Sequence, residues 1–84
     1  MNEVLMLVVV DTVEFFANCG DDELDPDIAV GRLEAIAFQL QQLPDKDKER
    51  FIEFSRELSN SIRQEDSERA SFIESVPENL GLSL

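Results

Sequence analysis

The chain has 84 residues, one small domain near the lower limit at which a hydrophobic core sustains itself. Hydrophobic residues make up 43% and the mean hydropathy is −0.18, a globular balance and not a disordered one. Nineteen acidic against seven basic side chains give a formal net charge of −12. That charge repels a phosphate backbone and an anionic lipid surface, so no nucleic acid and no membrane is expected as partner. There is no His, Trp or Tyr, and Cys19 is the one cysteine. Without His, most general-base, triad and zinc chemistry has no residue to run on. A binding protein is expected rather than an enzyme, with no cofactor and no metal. One cysteine makes no internal disulfide, which suits a reducing compartment, and a cytoplasmic location is expected.

Val4 to Val10 is an unbroken apolar run between Glu3 and Asp11. It is far short of the roughly 20 residues that span a bilayer, and its acidic flanks do not suit a signal peptide. Its β-branched content fits a buried strand, but nothing else in the chain reads as a strand to pair with it. A helix over 3–18 is therefore expected. Its first two turns are apolar all round, which makes it either the central element of a bundle or a homodimer contact.

Asn18-Cys19-Gly20 ends that helix, with Gly20 expected in a left-handed conformation. Asp25-Pro26 then reads as an N-cap and first helical residue. Over 26–43, Ala29, Leu33, Ile36, Leu40 and Leu43 form one apolar stripe at intervals of four and three. Val30, Ala37 and Phe38 widen it, which predicts a helix lying between two neighbours. Gly31 weakens this helix and predicts a close approach of another element.

Leu43-Pro44-Asp45 is a very short break, with Asp45 as the next cap, and predicts antiparallel neighbours on either side. A third helix over 46–64 carries Phe51, Phe54, Leu58 and Ile62 on one face. Ser55 shares that face, where its hydroxyl is expected to bond back to the preceding turn. After a weaker break at Glu65-Asp66-Ser67, a stretch over 67–76 places Ala70, Ile73 and Val76 on one side with Phe72 beside them. Pro77 is expected to stop it. The tail 77–84 carries Leu80, Leu82 and Leu84, to fold back or fray. The expected fold is all-α: an antiparallel three-helix bundle in up-down order with a short fourth helix.

The acidic run Asp21, Asp22, Glu23, Asp25, Asp27 is the most conspicuous candidate site. Its alternating carboxylates imitate a calcium loop, but the positions that require Gly and Glu hold Pro26 and Arg32. Helix capping and dipole complementation account for Asp25 and Asp27. Asp21, Asp22 and Glu23 are left over, and a docking surface for a basic protein competes with a solvated loop to explain them. Eight acidic side chains and no basic one precede Arg32, an asymmetry that directs a field at a basic partner. Glu34, one turn or so further on, joins the candidate set. Cys19 sits at a helix C-terminus among carboxylates, which disfavours a thiolate, so a structural thiol is expected. The Glu49, Glu53, Glu57 row reads as a solvated helix face.

From Asp27 to Ser59 the chain reads LEAIAFQLQQL, a short turn with a charged cap, then ERFIEF. That segment resembles the helical core of small acidic bacterial immunity proteins, which neutralise polymorphic or contact-dependent toxins. The resemblance implies an antitoxin role, binding a cognate basic toxin domain, with Asp21, Asp22, Glu23, Asp25, Asp27 and Glu34 as the expected contacts. A nuclease toxin fits best, because its phosphate-holding site is basic. Competing expectations are an acidic helical adaptor or assembly factor that works as a homodimer through its first helix, and a nucleic-acid mimic.

Overall fold

The computed structural model describes residues 2–82, so the expectation for Leu84 lies outside the described residues. Among the described residues the fold is all-α, with four helices: α1 (Glu3–Asn18), α2 (Pro26–Leu40), α3 (Asp45–Ile62) and α4 (Ser67–Asn79). Three of them start on a side-chain cap. Asn2 Oδ1 accepts from the Leu5 N–H at 2.9 Å, Asp25 Oδ1 from Asp27 at 2.8 Å, and Asp66 Oδ1 from Arg69 at 3.0 Å. At α3 the expected cap is corrected. Pro44 is the N-cap residue and makes no side-chain bond, while Asp45 lies inside the first turn and complements the dipole.

Helix α1 is the hinge of the architecture, since it packs on all three others. Met6, Val10 and Val13 on its inner face are buried, and they meet Leu40, Phe51, Ile73, Val76, Leu80 and Leu82 in one cluster. Only half of α1 is used, however: Val4, Leu5, Leu7, Val8 and Phe15 remain exposed. Helices α3 and α4 form the tightest pair, with Ser55, Ser59, Ala70 and Ile73 all fully buried. Ser59 Oγ donates to the Ala70 carbonyl at 2.6 Å and accepts from Arg63, which also pairs with Glu74 at 2.7 Å. The expected back-bond of Ser55 is absent. Among the described residues its hydroxyl has no partner, although the residue is fully buried.

Helix α2 departs most from expectation. The short break does not make α2 and α3 neighbours along their lengths, because α2 spends its stripe on α1 and α3 spends its own on α1 and α4. Val30 is 52% exposed and Phe38 62%, so α2 does not lie between two neighbours. The helix also stops at Leu40, short of 43. Gln42 and Leu43 bond back to Gln39 and Leu40, a tighter turn imposed by Pro44, which disfavours helical geometry in the residue before it. The molecule measures 36 × 33 × 21 Å, and its short dimension is about two helix diameters. Among the described residues nothing covers the outer side of α2, where Ile28, Val30 and Phe38 stay exposed.

Gly31 shows no close approach: a side chain there would meet nothing within 4 Å. Gly31→Ala is thus expected to stabilise the protein by roughly 0.5–1 kcal/mol, since the unfolded chain loses freedom and no contact is strained. Thermal melting should show a rise of about 2–8 °C. A fall would mean that this face of α2 is occupied.

The breaks at Gly20 and at Pro77 also correct the sequence reading. Gly20 is not left-handed; among the described residues Gly81 alone has positive φ, at 75°. The carbonyls at the end of α1 are instead met by side chains, Asn18 Nδ2 donating to Glu14 at 3.0 Å and the Cys19 thiol to Phe16 at 3.5 Å. Cys19 is half-buried in this structural role. At the other end Pro77 does not stop α4. The helix runs on to Asn79 and closes with the Leu82 N–H bonding Pro77 O at 2.9 Å and the Gly81 N–H bonding Glu78 O at 3.0 Å. That pair of bonds is a Schellman closure, with Gly81 in the left-handed position.

Candidate functional site

The acidic residues of the chain's first part divide into two groups. Those on α1 are used by the fold. Glu3 pairs with Arg50 of α3 at 3.0 Å, and Glu14 takes Arg69 of α4 in a two-pronged contact of 2.9 and 3.1 Å. Asp11 adds a weaker contact to Arg69 at 3.8 Å. The hydrogen-bonded Glu14 carboxylate holds the Arg69 guanidinium above its ordinary pKa, against the opposing effect of burial, with Glu14, Asp11 and Asp66 charges adding to the rise. Because the shift is upward, the Arg69 contribution is intact throughout the neutral range and falls away as pH rises through the strongly alkaline range.

The second group is Asp21, Asp22, Glu23, Asp25, Asp27 and Glu34, all exposed and none in an ion pair among the described residues. Asp21 to Glu23 ride on a turn in which Glu23 and Leu24 both bond back to the Gly20 carbonyl. Asp25 is held by its capping bond to Asp27. Glu34 is not part of the loop. It follows Asp27 by seven residues, on the same face of α2 and about 10 Å along the axis. Among the described residues no group of three acidic or thiol side chains is arranged to hold a metal ion.

Beside Glu34 lies a feature that the sequence reading missed. Helices α2 and α4 stand apart over α1, and the space between them is an apolar groove of about 250 Å³. Val13 and Ala17 of α1 form its floor. One wall is Val30, Leu33, Glu34 and Ala37, and the other is Phe72, Val76, Asn79 and Leu80. Gln41 Nε2, donating to the Leu80 carbonyl at 2.9 Å, ties the two walls together at one end. The opposite end is acidic. The loop joins α1 to α2 there, and the pairing of Arg69 with Glu14 brings the first turn of α4, with Asp66 and Glu68, to the same end. The sequence signal was the extra width of the α2 stripe at Val30 and Ala37.

A shallower apolar cleft opens on the other side of α2, lined by Val9, Phe16, Ile36 and Arg32 among others. It places the one basic residue of α2 away from the groove. No helix among the described residues is long and apolar enough to cross a membrane. A scan against protein-family models gives no match, and searches of curated proteins and of solved structures give none either.

Proposed function

We propose that this chain is an immunity protein, a cytoplasmic antitoxin that binds a basic bacterial toxin domain, in the narrowest reading a nuclease, and acts by docking rather than by catalysis. The observation that supports it is the division of carboxylates. The acids of α1 are satisfied by Arg50 and Arg69, whereas those of the Asp21–Asp27 loop and Glu34 face solvent without a basic partner. Unpaired like charges held together on a small domain repel one another, and a basic partner relieves that repulsion. The same field speeds encounter with the partner.

The test is surface plasmon resonance against the product of the adjacent reading frame, at two salt concentrations. Replacing Asp21, Asp22 and Glu23 with Asn, Asn and Gln leaves the Asp25 cap and the core untouched. The association rate should fall on the order of tenfold, and the wild-type rate should fall with added salt. Unchanged kinetics in the triple variant would make the loop a solvated connection and remove the reading.

A homodimeric adaptor is the second reading, and a different observation favours it. Val4, Leu5, Val8 and Phe15 leave an apolar stripe on the outer face of α1, of the kind that marks an interaction surface.

A further inference from the structure

We propose that the groove between α2 and α4 is the seat of a basic amphipathic helix of the partner protein. This rests on the docking reading above and names the segment that docks. The walls supply apolar contacts at Val30, Leu33, Ala37 and Phe72, and the buried Val13 and Val76 close the floor behind them. A volume of about 250 Å³ is below the range of small-molecule and cofactor sites and suits inserted side chains from a larger ligand.

Charge selects the occupant. Glu34 stands on the wall, and the N-terminal ends of α2 and α4, which carry Asp25, Asp27, Asp66 and Glu68, lie away from the Gln41 tie, while the nearby basic residues are engaged or turned away. Arg69 is held by Glu14 and Asp11, and Arg32 lines the opposite cleft. A helix with leucine-like anchors three and four residues apart and lysine or arginine on its flanks satisfies both the floor and the rim. A second copy of this chain does not. Its own exposed apolar helix, α1, contains no basic residue and carries Glu3, Asp11 and Glu14.

The proposal is tested with three fluorescein-labelled synthetic peptides read by anisotropy. One is a 14-residue amphipathic Leu–Lys helix, the second has the same composition in scrambled order, and the third is the Leu–Glu counterpart of the first. The amphipathic Leu–Lys peptide should bind the wild-type protein at least tenfold more tightly than the scrambled one, and the Leu–Glu peptide should not bind. Val30→Lys, at a half-exposed wall position, should weaken the Leu–Lys complex by about tenfold, and Glu34→Gln by a few-fold. Phe38→Ser, a somewhat more exposed apolar position of α2 away from the groove, should leave it unchanged.

Equal binding of the two Leu–Lys peptides, insensitive to Val30→Lys but lost in the Asn-Asn-Gln loop variant, would overturn the groove and leave the acidic docking reading standing. Loss of binding in Phe38→Ser equal to that in Val30→Lys would overturn the groove as well. Absence of binding by every basic peptide would overturn both. A wild-type protein that is dimeric by analytical ultracentrifugation and is made monomeric by Val30→Lys would give the groove to a second copy and overturn the proposal.

Discussion

Val10→Asp is expected to destabilise the fold severely, lowering its melting temperature by roughly 20 °C or more, whereas Val8→Asp, two residues away on α1, is expected to keep the fold. Val10 is fully buried in the central cluster, and Val8 is 54% exposed. A carboxylate at 10 has no basic partner in that cluster and costs on the order of 5 kcal/mol. An 84-residue domain has about 4–13 kcal/mol of total stability, so the cost takes between roughly two-fifths and all of it. At position 8 the same charge meets water, and the change should stay within about 0.5 kcal/mol. Circular dichroism at 222 nm during heating separates the two cases. A Val10→Asp protein that melts like wild type would displace α1 from the centre of the fold. A Val8→Asp protein that loses both melting temperature and half its mass in sedimentation would show that the outer face of α1 is a dimer contact, and would favour the adaptor reading.

Much of the helical order was legible because it is written in local signals. The span of α1 is set by Asn18 and the Cys19-Gly20 break, and that of α2 begins where Asp25-Pro26 places it. The inner stripes were legible for the same reason: Phe51, Ala70, Ile73 and Val76 are buried where their spacing puts them. Which helix each stripe meets was not legible. A four-residue connection limits how far apart α2 and α3 start, but not which partner offers α2 the better surface. The apolar excess of α1 allowed it to serve α2, α3 and α4 at once.

The candidate site was legible in charge and not in shape. Sequence identifies Asp21, Asp22 and Glu23 as acids without a local task, and the fold leaves them so. It does not distinguish them from Glu3, Asp11 and Glu14, whose partners Arg50 and Arg69 lie 47 to 58 residues away in the chain. The groove was hidden for a related reason. Extra apolar width at Val30 and Ala37 has two physical outcomes, a second neighbour or an open wall, and the choice depends on where α4 lies.

The C-terminal closure carries the second large effect. Leu82→Ala is expected to destabilise the protein by about 2–5 kcal/mol, the usual range for truncating a fully buried leucine. In a domain of this size that lowers the melting temperature by roughly 8–40 °C. The side chain reaches the core because the chain reverses at Gly81, where the Schellman bonds to Pro77 and Glu78 direct it inward. Gly81→Ala should therefore also destabilise, by about 1–2 kcal/mol, the cost of a left-handed conformation for a residue with a Cβ. A Cβ at 81 would sit 2.7 Å from Gln41 Nε2, so the bond from Gln41 to Leu80 that ties α2 to α4 must shift with it. The two variants differ in what they remove: Leu82→Ala opens a cavity, and Gly81→Ala strains the turn and loosens one end of the groove. Thermal melts of both, with the Leu–Lys peptide present and absent, read stability and groove together. A melting temperature for Leu82→Ala within 2 °C of wild type would place the tail outside the core and end the argument that Gly81 aims it there.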